Sequence, residues 1–427
     1  MTRVAIVDGV RTPFAKAGTA LLNVSAQELG RVAVRELIER TELDPSSIDE
    51  VIMGNVAQPL EATNIARVIA LTAGTPHSIS AHTVTRNCAS GLQAITEGFE
   101  LIRANQVHTV IAGGTESMSN IPLLFPKAMN HFLGNLWAAK SLYKKWMAIS
   151  KFRPRFLKPV IGLVEGLKDP FCGLNMGQTA EILAKEFQIS RKEQDKFALQ
   201  SHQKAVVATQ SGRFAQEIVP VFVSDTLEPI QNDVGPRENQ TLDALAKLPP
   251  LFDRRHGTVT VGNSCPITDG AAAVLLMSEA RVRVIGIQPL AWIRSYSFAG
   301  LDPRRMGLGP AVAAPSALRK AGISMKEIGL VEINEAFAAQ VLAVLRIFQN
   351  PKLGESEGAN APELSEIDPA KLNVNGGAIA LGHPVGTSGT RITLTLAKEM
   401  RIRNVGLGLA ALCVGGGQGG AIVLEQA

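Results

Sequence analysis

The side chains best suited to covalent chemistry in this sequence are thiols and an imidazole beside glycine-rich turns. Cys88 follows a predicted strand over 81–85 and precedes a predicted helix over 89–102. Free backbone N–H groups and the helix dipole at that position favour a thiolate over a thiol. Cys88 is therefore a candidate nucleophile, with a buried structural cysteine as the alternative.

Two further candidates lie in the second half of the chain. His383 belongs to the glycine-rich stretch 376–384, and Cys413 follows a predicted strand over 406–412 and precedes three glycines. An imidazole can accept a thiol proton near neutral pH, and glycines allow close backbone approach. The alternatives are a hydrogen-bonded core histidine and a packing cysteine.

Strands that alternate with helices predict the elements that position these residues. The pattern indicates a layered α/β protein with a largely parallel sheet. A second series begins near residue 289 and reads as a diverged internal repeat of the first. Each candidate follows the carboxyl end of a strand, where open α/β sheets place their sites. We therefore expect the loops to converge if the two halves pack face to face. The predicted strands are 3–10, 51–56, 81–85, 109–112, 290–296, 328–333, 372–374, 406–412 and 421–424.

Composition favours a globular protein of several domains. The chain has 427 residues, of which 46% are hydrophobic and 19% charged. Its four cysteines are too scattered for a disulfide framework or a zinc site, which favours a reducing compartment. The first residues form a strand pattern without a signal-peptide core, and no apolar run has membrane-spanning length. We therefore expect a cytoplasmic protein without a bound metal.

The positive charge is concentrated in one segment. Residues 121–168 contain nine Lys or Arg and one acid, a local +8, whereas the whole chain carries +5 and the remainder therefore −3. The same segment contains Trp137, Tyr143 and Trp146. This mixture suits a membrane interface or a partner groove, with a solvated helical face as the alternative. A nucleic-acid role is disfavoured because the rest of the chain is acidic.

Five motifs in order resemble the thiolase family: Asn-Cys-Ala-Ser-Gly at 87–91, Gly-Gly-Thr-Glu-Ser-Met-Ser at 113–119, Asn-Glu-Ala-Phe-Ala at 334–338, the stretch at 376–384, and Cys-Val-Gly-Gly-Gly-Gln-Gly at 413–419. The resemblance implies two βαβαβαββ halves in five layers, α-β-α-β-α, with an inserted helical loop domain. It divides the chain into an N-terminal half (1–120 plus 250–286), the insert (121–249) and a C-terminal half (287–427). Residues 171–181 and 252–260 are most similar to the β subunit of a fatty-acid β-oxidation multienzyme complex.

The resemblance implies a role for each candidate. Cys88 would carry the acyl group, His383 would accept its proton, and Cys413 would exchange protons with the leaving and attacking groups. One oxyanion hole would combine His383 with a water held by Asn334. The other would use the backbone N–H groups of Cys88 and Gly415.

The resemblance implies coenzyme A as a co-substrate and not as a permanently bound cofactor. The resemblance implies a CoA and substrate site with Arg237 near the nucleotide end and with Leu248, Phe252, Met176, Ala336 and Phe337 along the pantetheine tunnel. Asn175 stands where short-chain members often carry His, and Cys265 where they often carry Ser. These departures leave the preferred acyl chain length open.

The implied reaction is thiolytic cleavage of a 3-ketoacyl-CoA by CoA to acetyl-CoA and a shortened acyl-CoA, in fatty-acid β-oxidation. The alternatives are a biosynthetic acetoacetyl-CoA thiolase and a non-catalytic acyl-CoA-binding scaffold subunit. The implied assembly is a homodimer or homotetramer. A multifunctional hydratase/dehydrogenase α subunit and a membrane surface contacted through 121–168 are further candidate partners.

Overall fold

The computed structural model of the chain describes residues 2–223 and 228–427, so that 224–227 of the predicted insert lie outside the described part. The strands are β1 (Val4–Arg11), β2 (Ala15–Lys16), β3 (Glu50–Gly54), β4 (Ser80–Val84), β5 (Thr109–Glu116), β6 (Leu123–Leu124), β7 (Val160–Ile161), β8 (Thr268–Ser278), β9 (Ala291–Gly300), β10 (Leu330–Ile333), β11 (Leu407–Val414) and β12 (Gln418–Gln426). The helices are α1 (Ala26–Arg40), α2 (Ile65–Thr72), α3 (Ser90–Arg103), α4 (Lys127–Ala138), α5 (Leu142–Ile149), α6 (Gly162–Gly166), α7 (Met176–Glu186), α8 (Arg191–Gln210), α9 (Leu242–Ala246), α10 (Glu279–Ile285), α11 (Gly309–Ala321), α12 (Ala338–Gln349), α13 (Ala378–Leu381) and α14 (Ser388–Arg403).

One large sheet runs through both halves in the order β4-β3-β5-β8-β1-β9-β12-β11-β10. Among the described strands, β4-β3-β5 and β10-β11 pair in parallel, and the strands between these two groups pair antiparallel. The prediction of a largely parallel sheet is therefore wrong for its middle. β11 and β12 are joined by a turn of three glycines, and strands joined so tightly can pair only antiparallel.

Hydrophobic side chains divide the molecule into the five predicted layers. One cluster packs α1 and α2 on one face of the N-terminal strands, and another packs α11 and α12 on the C-terminal strands. A third lies between them and joins α3 and α14 to strands of both halves. In β1, Ala5 and Val7 face the outer cluster, whereas Val4 and Ile6 face the central one. Successive side chains of β1 thus point to opposite faces of the sheet, and both faces are buried. The face towards the central cluster is covered by α3 and α14, which form the central layer.

The internal repeat is visible in the sheet order. The N-terminal series β4-β3-β5-β8-β1 matches a C-terminal series in which β10, β11, β12 and β9 follow a single bridge between Leu372 and Val331. The predicted strand over 372–374 is wrong beyond that bridge. Asn373 has a φ of +42°, which lies outside the extended conformation. Its side-chain amide accepts a hydrogen bond from the backbone N–H of Ile333 and donates one to the carbonyl oxygen of Ile333.

Several predicted strand ends fall too early, and two of them lie at glycine-rich positions. β5 continues through Gly113 to Glu116 because these residues pair with β8 as far as Gly270. β11 continues to Val414, so that Cys413 is the penultimate residue of a strand and not the first residue of a loop. Glycine therefore marks close packing at these positions and not the end of the strand.

The segment between β5 and β8 contains helices α4 to α9 and the short antiparallel pair β6-β7. Near its start, Phe132, Phe152 and Phe156 form an aromatic cluster with ring centroids 5.4–6.2 Å apart. The division of the chain into three domains stays a prediction. Among the described residues, none of the helices has the length and apolar character needed to cross a bilayer.

Contact between the two halves requires glycine at several positions. A Cβ on Gly114 of β5 would lie 2.1 Å from the carbonyl oxygen of Gly386, and one on Gly91 of α3 would lie 2.4 Å from Oγ1 of Thr390 in α14. Real Cβ atoms do not approach a carbonyl oxygen so closely. The loop before α14 can therefore rest on β5 only because β5 has no side chain there.

We predict that Gly114→Ala destabilises the protein by about 1–3 kcal/mol, because the new methyl group overpacks a rigid backbone contact. Thermal unfolding should show a lower midpoint than wild type. Gly134→Ala is the matched control, since Gly134 lies in α4, where an added Cβ would meet no atom of the described residues within 4 Å. It should raise the midpoint slightly. Equal midpoints for Gly114→Ala and wild type would contradict this account.

Candidate active site

Cys88 lies in a tight turn between β4 and α3. Asn87 adopts a φ of +44°, and its side-chain amide donates to the carbonyl oxygen of Gly415 at 2.7 Å. The hydroxyl of Ser90 donates to the carbonyl of Asn87 at 2.7 Å and accepts from the backbone N–H of Arg86 at 2.9 Å. These bonds fix the turn and connect it to the glycine turn of the other half.

The environment of Cys88 opposes the thiolate expected from its position before a helix. Burial raises the pKa of the Cys88 thiol, and hydrogen bonds from the backbone N–H groups of Gly415 and of Cys88 itself lower it less than burial raises it. The expectation of a resting thiolate is therefore wrong. Desolvation outweighs the helix start, so the thiol requires a base.

His383 lies in the loop between α13 and α14, where three polar contacts hold it. Its backbone N–H donates to Oγ1 of Thr268 at 3.2 Å. Its Nδ1 lies 2.5 Å from Oγ of Ser388, and its Nε2 lies 3.5 Å from Nδ2 of Asn334. Burial, followed by the positive charge of Arg391, lowers the pKa of His383 to about 3. The resting imidazole is therefore neutral and has a free lone pair.

Asn334 follows β10 and directs its amide towards His383. Its backbone N–H donates to the carbonyl of Ala411 at 2.9 Å, which fixes the residue against β11. Its Oδ1 is buried and has no hydrogen-bond partner among the described residues. A buried oxygen of this kind needs a donor, and a water molecule or a ligand can supply one.

Cys413 is buried near the end of β11. Burial, followed by the neighbouring thiols of Cys88 and Cys265, raises the pKa of Cys413 well above its usual value. Burial, followed by Cys88, likewise raises the pKa of Cys265 to about 12. The three thiols are thus close enough to influence one another, and all are protonated at neutral pH.

These groups share one cavity of about 1100 Å³. Cys88, His383, Cys413 and Cys265 contribute to its wall, together with all six residues predicted for CoA and substrate binding, which are Arg237, Leu248, Phe252, Met176, Ala336 and Phe337. Asn334 reaches the site through His383, and Gly415 through its contacts with Cys88 and Asn87. The structure therefore brings together the predicted catalytic and CoA-binding residues, whereas Trp137, Tyr143 and Trp146 lie outside this cavity. The cavity joins reactive groups to an apolar wall.

Two buried carboxylates support the site, and sequence reasoning assigned neither of them a role. Glu116, at the end of β5, accepts hydrogen bonds from the backbone N–H groups of Val56, Ala57 and Gly386. Burial raises its pKa to about 7. Because Gly386 belongs to the His383 loop, Glu116 holds that loop against the other half. The signal was present as an acid four residues after the end of a predicted strand, just beyond two glycines.

Glu335 supports the stretch before His383 in the same way. Its carboxylate accepts from the hydroxyl of Ser201 at 2.6 Å, the amide of Asn373 at 2.8 Å and the backbone N–H of Ile379 at 3.2 Å. A Cβ on Gly377 would lie 2.3 Å from its carboxyl carbon. The glycines of this stretch thus allow its backbone to lie against a buried acid.

Known proteins match this chain over nearly its full length. Residues 4–280 match the model "Thiolase, N-terminal domain" and residues 287–426 match "Thiolase, C-terminal domain". The 3-ketoacyl-CoA thiolase of Shewanella loihica is 42% identical over 99% of this chain and 97% of its own length. That of Pectobacterium carotovorum is also 42% identical, over 99% and 96%.

Solved structures show the same architecture. The Bacillus anthracis acetyl-CoA acetyltransferase has a TM-score of 0.87 at 37% identity, covering 100% of this chain and 99% of its own. Human mitochondrial 3-ketoacyl-CoA thiolase in complex with CoA has a TM-score of 0.86 at 38% identity, covering 100% and 98%. With both halves matched and relatives aligned along the full length, this chain belongs to the thiolase family.

Proposed function

We propose that this protein cleaves 3-ketoacyl-CoA with CoA, giving acetyl-CoA and an acyl-CoA shortened by two carbons. One observation carries the proposal: Cys88, Cys413 and the neutral imidazole of His383 line a single cavity with a long apolar wall. The relatives named 3-ketoacyl-CoA thiolase, at 42% identity, support the same substrate class.

In the first half-reaction, Nε2 of His383 takes the proton of Cys88 as the sulfur attacks the keto carbon of the substrate. The tetrahedral intermediate then breaks its carbon–carbon bond, and the electron pair leaves with the acetyl-CoA carbanion. Cys413 donates its proton to that carbanion. Because burial disfavours both a free thiolate and an imidazolium, proton transfer is favourable only as the new bond forms.

In the second half-reaction, CoA replaces acetyl-CoA in the cavity. The Cys413 thiolate takes the proton of the CoA thiol, and the CoA sulfur attacks the acyl group on Cys88. The bond to Cys88 breaks, and the imidazolium of His383 returns the proton to that sulfur. Both cysteines and the histidine thus recover their starting protonation states, so that the cycle balances.

Two sets of donors would stabilise the oxyanions. The backbone N–H groups of Cys88 and Gly415 lower the pKa of the Cys88 thiol and so lie near its sulfur, and an oxygen on the carbon attached to that sulfur would lie near them too. Asn334 and His383 form the second set, with the unpartnered Oδ1 of Asn334 available to hold a water. One such donor contributes about 2.7–4 kcal/mol to a transition state of this kind.

The cavity wall supports binding of an acyl-CoA. Phe252 and Phe337 meet edge to face with centroids 6.0 Å apart, and Met176 packs in the same cluster. We assign these apolar side chains to the pantetheine arm. Arg237 also lines the cavity, and we assign its guanidinium to the phosphates of the nucleotide end.

A second candidate function within the family is acetoacetyl-CoA synthesis. The structural similarity to the Bacillus anthracis acetyl-CoA acetyltransferase favours it. Rates of thiolysis for 3-ketoacyl-CoA substrates of four to sixteen carbons distinguish the two. A degradative enzyme should cleave the long substrates at least as well as acetoacetyl-CoA. A non-catalytic scaffold would cleave none of them.

We further propose that the enzyme is a cytoplasmic homo-oligomer that works beside a hydratase/dehydrogenase subunit and docks on an anionic membrane through residues 121–168. Trp137, Tyr143 and Trp146 expose 93%, 73% and 64% of their surface, and helix α5 has no buried residue. Exposed aromatic and basic side chains together are typical of interfacial helices. Each lysine near an anionic surface contributes about 1 kcal/mol.

We predict that incubation with acetyl-CoA leaves an acetyl group on Cys88, because this thiol has a base and two N–H donors beside it. Peptide mass spectrometry should find the label at Cys88 and should find none there in Cys88→Ser. The matched control is Cys172→Ser, since Cys172 does not line the cavity, and this variant should retain the label on Cys88. Acetylation of Cys172 or Cys265 in its place would contradict the assignment.

We predict that Cys413→Ser lowers turnover by about 10²–10⁴-fold, because a hydroxyl has too high a pKa to exchange protons near neutral pH. The variant should nevertheless form an acyl thioester on Cys88 and so carry more acyl label than Cys88→Ser, as measured by intact-protein mass spectrometry. Turnover at the wild-type rate would refute the proton-transfer role of Cys413.

We predict that changing Lys140, Lys144, Lys145 and Lys151 to Glu abolishes co-sedimentation with anionic phospholipid vesicles and leaves thiolysis unchanged. The matched control reverses four exposed lysines elsewhere, namely Lys192, Lys196, Lys326 and Lys352. It should still bind the vesicles. If the wild type does not bind vesicles, and the four substitutions abolish its binding to a partner subunit, the surface binds a protein. If neither interaction changes, the surface is only solvated.

A further inference from the structure

A serine contacts the nitrogen of His383 that faces away from Asn334. Ser388 is the first residue of α14 and is completely buried. Its Oγ lies 2.5 Å from Nδ1 of His383 and 3.0 Å from the carbonyl oxygen of Pro384. The carbonyl can only accept, so the geometry allows the serine hydroxyl to donate to it and to accept from Nδ1 at the same time.

The contact at the other ring nitrogen, Nε2, is consistent with a proton on Nδ1. Nδ2 of Asn334, which can only donate, lies 3.5 Å from Nε2 of His383. A donor facing Nε2 requires a lone pair on that nitrogen, which leaves the single proton of a neutral imidazole on Nδ1. Two contacts on different elements thus favour the same tautomer.

We propose that Ser388 is a positioning residue that holds His383 as the Nδ1–H tautomer and accepts the hydrogen bond of the imidazolium formed during the reaction. The inference rests on the proposed function of His383 as the base for Cys88. Only the Nδ1–H tautomer presents the Nε2 lone pair that must take the thiol proton. Without Ser388, the imidazolium would leave a buried, positively charged N–H group unpaired.

Ser388 stabilises the imidazolium of His383, whereas two other features of the site destabilise it. Burial and the charge of Arg391 both disfavour the imidazolium. Glu116 accepts a hydrogen bond from the backbone N–H of Gly386 in the same loop. The titratable groups that share the cavity with His383 include the thiols of Cys88, Cys265 and Cys413, and Arg391 is the charged group that lowers the pKa of the ring. Among the described residues, Ser388 is the polar group in hydrogen-bond contact with Nδ1.

The neighbouring residue supplies a matched control. Thr387 is also completely buried, and its hydroxyl donates to the carbonyl of Gly270 at 2.8 Å, away from His383. Thr387→Val removes a buried hydroxyl from the same helix start without touching the imidazole. Ser388→Ala removes the hydroxyl that contacts Nδ1. A loss specific to Ser388→Ala therefore reports on the ring and not on local packing.

The first experiment determines the tautomer in the intact wild-type protein. Two-bond ¹⁵N–¹H correlations of ¹⁵N-histidine-labelled protein, with His383 assigned by its absence in His383→Gln, should show the proton on Nδ1. A proton on Nε2 would overturn the proposal. The measurement needs no substrate, so its result is independent of whether the protein is a thiolase in the cell.

The second experiment measures the reactivity of Cys88 against pH by alkylation with iodoacetamide and by acetylation with acetyl-CoA. Ser388→Ala should slow acetylation at least about tenfold and move the alkylation midpoint to higher pH, because the base is weaker. Thr387→Val should keep the wild-type midpoint. Wild-type behaviour of Ser388→Ala, or an equal loss in both variants, would overturn the proposal. Absent thiolysis in the wild type would refute the proposed function and leave the alkylation profiles interpretable.

Discussion

The structure depends on a backbone contact between the two halves that no side chain interrupts. The loop that carries His383 lies on β5, where a Cβ on Gly114 would be 2.1 Å from the carbonyl oxygen of Gly386. Glu116 then binds the N–H of Gly386 and keeps the loop in place. Because the halves approach so closely, a thiol from the first half and an imidazole from the second share one cavity.

Burial in this cavity shifts the pKa values of the thiol and the imidazole. Burial raises the pKa of Cys88 and lowers that of His383, so the resting site is uncharged at the two groups between which we propose proton transfer. In the proposed reaction, charge develops only when a substrate occupies the cavity, and the proposed donors on both halves are fixed in position before it does. The site thus combines a protonated resting thiol with polar groups that the fold already holds in place.

Local sequence patterns predicted most elements but not where they stop. The helix after Cys88 and the strand before Cys413 follow from apolar periodicity and glycine spacing, which are properties of neighbouring residues. The end of β5 does not, because Gly113 and Gly114 continue a strand only when β8 lies beside them. Residue 373 likewise leaves the sheet through a left-handed turn held by contacts with Ile333, which no local pattern indicates.

The sequence by itself determined the fold family, the alternation of strands and helices in two related halves, and the identity of the candidate residues. Ordered motifs carry that information because chemistry and tight turns restrict residue type at each position. The tertiary structure alone decided that Cys88 is a resting thiol, that Glu116 supports the His383 loop, and that Ser388 contacts the imidazole. Protonation and hydrogen-bond partners depend on desolvation and on distances between residues remote in the chain, and both arise only when the halves pack together.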